Sequence, residues 1–141
     1  MERRDLFAAI AVATALGLAP QAFAQGASSM HPPKYKALEE SSARCVAAAN
    51  DCLRHCMGML AMKDSSMAGC TDAAYQIVAA CGALQTLAAV NSPHVPAFAK
   101  AVGAVCMSCK TECDKFPNVA ECKACGAACQ SCADECHKVS A

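Results

Sequence analysis

The chain has 141 residues, enough for one domain, with twelve basic residues against twelve acidic ones. It has no basic run, no tryptophan and only 4% aromatic residues, which argues against nucleic-acid binding through phosphates or stacked bases. Thirteen cysteines are far above ordinary usage, and an odd number cannot all close into intramolecular disulfides.

Residues 1–24 read as an export signal. Arg3 and Arg4 form a short positive region, an apolar run extends from Leu6 to Leu18, and Ala22-Phe23-Ala24 supplies small residues for cleavage before Gln25. The Arg-Arg-Asp-Leu-Phe run is similar to a twin-arginine signal, although Glu2 and Asp5 flank it; an ordinary secretory signal is the alternative. The apolar run is short for a membrane span, so the mature chain is expected to be exported, to the periplasm, without membrane insertion. Residues 25–33 read as a flexible lead-in, and 34–141 as the folded domain.

Four helices are expected in that domain. The first, about 34–62, carries Cys45, Cys52 and Cys56 on one face. Lys63-Asp64-Ser65 breaks it, and Ser65 or Ser66 can cap the second helix, which reaches about residue 90. Cys70 and Cys81, three turns apart, share a face there with Ile77, Leu84 and Leu87. Asn91-Ser92-Pro93 breaks the chain again, and Pro96 suits the first turn of the third helix, which carries Cys106, Cys109 and Cys113. Phe116-Pro117 ends it. Asn118, with Glu121 three residues later, has the pattern of a capping box for the fourth helix.

The fourth helix carries the strongest pattern. Cys122, Cys125, Cys129, Cys132 and Cys136 alternate spacings of three and four, which is the inward seam of a helix with a 3.5-residue period. Long helices with short loops predict an all-α, antiparallel up-down four-helix bundle with a cysteine-lined core. In that topology Cys56, Cys70, Cys113 and Cys122 lie near the end carrying the first and third loops, while Cys45 and Cys136 lie deeper. The thiols therefore form a column.

Free cysteine is a small buried hydrophobe, but alanine or valine would fill the same space without redox liability. Disulfide stapling of an exported helical protein is a second reading, since Cys45–Cys56 and Cys70–Cys81 each enclose ten residues. Helical neighbours three or four apart hold their Cβ atoms about 5–6 Å apart, too far for the ~3.5–4.5 Å that a disulfide requires. A low-stoichiometry zinc or copper site is a third reading. Zinc takes four ligands, commonly from turn-borne CxxC pairs, and iron–sulfur clusters use loop cysteines; neither uses thirteen thiols in a line. Cu(I) is soft and accepts two or three thiolates. If each thiolate bridges two ions, one Cu(I) per cysteine gives a nearly neutral core, which removes the cost of burying charge. No HExxH, nucleophile elbow or glycine-rich phosphate loop is present, so no catalytic residue is expected.

The CxxCxxxCxxCxxxC run of the fourth helix, the CxxCxxxC of the third, the export signal and the four-helix pattern together resemble the bacterial copper storage proteins, in particular the exported members from methane-oxidising bacteria. The resemblance spans essentially the whole mature chain. It implies storage of multiple Cu(I) ions by the thirteen cysteines, a homotetramer, and later supply of copper to copper enzymes through a donor or acceptor protein. It also implies a His/Met cluster at the open end of the bundle, matched here by His55, Met59, Met62 and Met67. Read from the residues alone, methionine equally fills irregular core gaps. His94 and His137 are expected to face solvent.

Overall fold

The computed structural model describes residues 30–141; the export signal at 1–24 and the first residues of the lead-in lie outside the described residues. Four helices follow in order: α1 (Lys36–Ala61), α2 (Ala68–Ala89), α3 (Val95–Cys113) and α4 (Ala120–Ser140). Each packs against two neighbours, α1 on α2 and α4, and α3 on α2 and α4. With connections as short as 62–67, 90–94 and 114–119, this closed ring is the expected up-down bundle.

Periodicity explains why these segments are helices and which face they bury. The buried positions of α2 are 70, 74, 77, 81, 84 and 88; those of α3 are 95, 99, 102, 106, 109 and 113. Both alternate steps of four and three, as does the cysteine run of α4, so each helix presents one seam to the axis. At the end formed by the start of α1, the α2–α3 loop and the end of α4, that seam is aliphatic: Leu38, Leu84, Ala88, Val95, Ala99 and Val102. Towards the other end it becomes sulfur. The thiol column is thus closed on one side by an apolar plug. Gly103 and Gly126 let α3 and α4 come close, since a Cβ would stand 3.3 Å from that of Cys136 at Gly103, and 3.4 Å from that of Cys113 at Gly126.

Helix ends depart from the expected caps. α2 begins after Met67, not after Ser65 or Ser66, and no side chain caps it. Instead the Asp64 carboxylate accepts from the Ser66 N–H at 2.9 Å, holding the loop in a local turn. α4 begins after Val119, without the Asn118–Glu121 capping box, because Glu121 turns to the side and faces α1. α1 and α2 both end with a left-handed residue, Lys63 (φ 64) and Asn91 (φ 54). In each, two N–H groups return to the last turn: Lys63 to Leu60 and Asp64 to Met59, Asn91 to Ala88 and Ser92 to Leu87. Asn91 also accepts from the Lys34 N–H at 2.7 Å and donates to the Pro32 carbonyl at 3.1 Å, so the chain leading into α1 is tied to the α2–α3 loop. Leu60, on the last turn of α1, is 38% exposed.

Candidate metal centre

All thirteen cysteines are buried, and all are free thiols. The seams bring them into a continuous path of sulfur contacts. At the α1–α2 loop end, Cys52 lies 3.5 Å from Cys70, 3.8 Å from Cys122 and 3.9 Å from Cys56. Cys70 in turn lies 3.8 Å from both Cys113 and Cys122. The expected cross-section of Cys56, Cys70, Cys113 and Cys122 is therefore drawn together, with Cys52 at its centre. Along α3 and α4 the path continues through Cys109, 4.0 Å from Cys113 and 3.9 Å from Cys125. Deeper, Cys45 meets Cys129 at 3.7 Å, while Cys81 meets Cys106 at 3.7 Å and Cys132 at 3.8 Å.

Four sets of thiols could each hold an ion, their sulfurs lying within 4.8 Å of one another: Cys45/Cys81/Cys106/Cys132, Cys52/Cys56/Cys70/Cys122, Cys52/Cys113/Cys125 and Cys109/Cys125/Cys129. Cys52 and Cys125 each belong to two sets, so three of the four share members, and the Cys45–Cys129 contact ties the deep set to them. Cys136 belongs to none, although it lies one turn after Cys132 on the same buried seam. Below the deepest set, the Ser42 hydroxyl lies 3.7 Å from the Cys132 sulfur, fully buried. Sequence reading did not single out Ser42; its position three residues before Cys45 places it on the same seam, and that was its signal.

Electrostatics divides the thiols. Cys70 accepts from Cys113, Cys52 and Cys122, which stabilises its thiolate and pulls it down to about 3. Cys45 is drawn down to about 5, chiefly by Cys106 and Cys129. Cys125 and Cys132 are lowered too, Cys125 mainly by Cys109 and Cys132 mainly by Cys106. Their partners move the opposite way. Burial pushes Cys56 up and Cys122 up to about 12, with the neighbouring Cys70 charge adding to both. An acidic, ligand-ready sulfur thus stands on each of α1, α2 and α4, ringed by thiols that keep their protons.

The expected His/Met cluster is brought together in part. His55, Met59 and Met62 line one open cavity of about 410 Å³ with Arg54, Gly58 and Glu121, on the α1–α4 side at the loop end. The Nδ1 of His55 lies 3.9 Å from Oε2 of Glu121, a neighbour that sequence reading had assigned to a capping box. Met67 is not part of that lining: it is 2% exposed and packs in the core cluster with the cysteines. His94 and His137 are exposed, as expected.

The ligand chemistry discriminates between metals. A tetrahedral zinc with ~2.3 Å bonds spaces its sulfurs about 3.8 Å apart, so either four-thiol set could accept one. Two such sites would use eight of the thirteen thiols and leave Cys109, Cys113, Cys125, Cys129 and Cys136 buried without an ion. Each zinc tetrathiolate would also be a buried dianion, at high desolvation cost. A monovalent soft ion shared between linked thiolates engages all twelve thiols of the sets and leaves no buried net charge.

Comparison with known proteins agrees with this geometry. The family described as Csp, copper storage protein, matches residues 31–141. Among solved structures, metal-free copper storage protein 3 from Bacillus subtilis is 25% identical, with a TM-score of 0.67, covering 75% of this chain and 98% of that one. A Cu(I)-bound form of the same Bacillus subtilis protein is 26% identical with the same TM-score, covering 75% of this chain and 97% of that one. A search of curated proteins finds no match.

Proposed function

The chain belongs to the copper storage protein family, and from that premise we propose that it stores multiple Cu(I) ions on the thiolates of its core for later supply to copper enzymes. The observation that carries this is the linkage of the thiols: twelve of the thirteen fall into four ion-sized sets, shared members join three of these, and the 3.7 Å contact of Cys45 with Cys129 joins the fourth to them in one path. Shared sulfur is what a chain of monovalent ions requires, because each bridging thiolate serves two ions. The Cu(I) carried by the Bacillus subtilis neighbour supports the same reading. The protein acts as a binding protein, with no catalytic step assigned to any residue.

On this reading all thirteen cysteines are ligands. His55, Met59 and Met62 form the mouth: imidazole and thioether hold Cu(I) less firmly than bridging thiolate, so they suit transient contact during uptake and release with a donor or acceptor protein. Met67 belongs to the same end as a core residue beside Cys70. The protein is exported to the periplasm by its twin-arginine-like signal at 1–24, followed by the 25–33 lead-in and the 34–141 storage domain. No helix among the described residues is long and apolar enough to cross a membrane. Assembly into a homotetramer is supported by an open apolar groove of about 290 Å³ between α1 and α2, lined by Leu53, Met57, Leu60 and Tyr75.

The test is capacity. Reduced metal-free protein titrated anaerobically with Cu(I) against a competing chelator is expected to bind on the order of ten or more ions per chain. Saturation at one to four ions, or preferential uptake of two zinc ions, overturns storage in favour of discrete sites.

A further inference from the structure

Cys136 is the thiol that the four linked sets leave out. It sits where the sulfur column meets the apolar plug, at the level of Gly103 on α3. It also lines an open cavity of about 360 Å³ on the outer seam between α3 and α4. Met107 and His137 line the same cavity, so thiol, thioether and imidazole, the three side-chain donors that suit Cu(I), share one opening. Small residues make that opening: Gly103, Ala104 and Ala133 lie between the donors, and a Cβ at Gly103 would stand 3.3 Å from that of Cys136. Met107 is 41% exposed while Cys136 is 1% exposed, so the donors run from solvent inward. Behind Cys136 stands Cys132, a member of the Cys45/Cys81/Cys106/Cys132 set.

We propose that this α3–α4 groove is a second copper port, in which Met107 and His137 receive Cu(I) and pass it through Cys136 to the deep end of the thiol column. The port lies far from the mouth formed by His55, Met59 and Met62. Ions held by Cys45, Cys81, Cys106 and Cys132 therefore exchange without crossing the whole column. The step is ligand exchange and involves no change of oxidation state. A Cu(I) complex arrives, the Cys136 sulfur forms a bond to copper as its proton leaves to water, and the carrier ligand departs. A second exchange moves the ion to Cys132. This inference rests on the storage reading.

The test uses the full chain loaded with Cu(I), with capacity measured first and copper removal by a strong coloured Cu(I) chelator followed in time. Two variants probe the groove. Met107→Leu with His137→Gln removes the outer donors, and Ala104→Phe obstructs the opening while leaving every donor in place; both changes are on the exposed side of their helices. Each is also made in a protein whose mouth carries His55→Ala, Met59→Ala and Met62→Ala. The expected result is unchanged capacity with removal slowed about three-fold or more by either groove variant, and a larger slowing in the combination, because parallel routes are then both closed. Full capacity with the same rate in all groove variants overturns the port and leaves storage standing. Capacity of four ions or fewer in the unaltered protein overturns storage, and the port with it.

Discussion

The sulfurs of Cys52 on α1 and Cys70 on α2 lie 3.5 Å apart, the shortest thiol contact among the described residues. Cys52 is shared between two sets, so this contact sits where the linked sites branch. A disulfide needs its sulfurs about 2 Å apart, so bonding would require the two helices to shift or the side chains to turn. The first prediction follows. Alkylation of the native protein without reductant, followed by mass measurement, is expected to count most cysteines as free or metal-blocked. Deliberate mild oxidation of the metal-free protein should join Cys52 to Cys70 before other pairs and lower copper capacity. Six disulfides and one free thiol in the native protein would restore the stapled-helix reading.

The mouth separates kinetics from capacity. Replacing His55, Met59 and Met62 together by alanine is expected to change the rate of copper removal by a chelator and leave capacity nearly unaltered, because thiolates hold the stored ions. Met67→Ala should behave differently. Its side chain is buried, so the expected effect is a stability loss of about 2–4 kcal/mol in denaturant unfolding. Unchanged removal rates in the triple variant would reduce those residues to surface filler.

Acid should weaken binding. Copper needs thiolate, and Cys122, pushed up to about 12, is protonated at every pH below that, while burial raises Cys56 as well. Each ion bound there displaces a proton. Cys70, held down to about 3, is already thiolate at pH 5 and contributes no such dependence. Apparent affinity per ion should therefore fall as pH falls from 8 to 5, by up to about ten-fold per pH unit at one proton per ion. Competition titrations at several pH values measure the slope; affinity independent of pH would show that the raised thiols, Cys56 and Cys122, are not ligands.

The seam was legible because cysteine marked it. Steps of three and four along α4 fixed the inward face, and the short loops fixed the order of levels, so the meeting of Cys56, Cys70, Cys113 and Cys122 could be foreseen. Caps were not legible in the same way. Ser66 and Asn118 have the right chemistry for N-caps, a bond of about 1 kcal/mol, yet a competing local turn takes the Ser66 N–H to Asp64, and a neighbour on another helix, His55, faces Glu121. Met67 looked like its neighbours His55, Met59 and Met62, but the register of α2 turns it to the core. The aliphatic plug and the exclusion of Cys136 from the linked sets depend on where four helices end relative to one another, which no single helix records.

The last prediction concerns the order of folding and loading. A zinc finger is unfolded without its ion because it has too little core of its own. Here the core holds Leu38, Ile77, Leu84, Val95 and Val102 beside the thiols, and a protonated thiol is itself mildly hydrophobic. Return bonds close the ends of α1 and α2, and the alternating seam specifies each helix face without reference to metal. The bundle should therefore form empty, as a rack whose sulfurs already lie 3.5–4.0 Å apart across the contacts described. Little ordering then accompanies loading, and bound copper raises stability by mass action, since it binds the folded state more tightly than the unfolded one. Far-ultraviolet circular dichroism of the reduced metal-free protein is expected to be strongly helical and to change little on Cu(I) addition, with a higher melting temperature afterwards. A disordered spectrum that becomes helical only with copper would mean that the ions specify the fold, and the apolar plug with its helix seams would be insufficient to hold the bundle by itself.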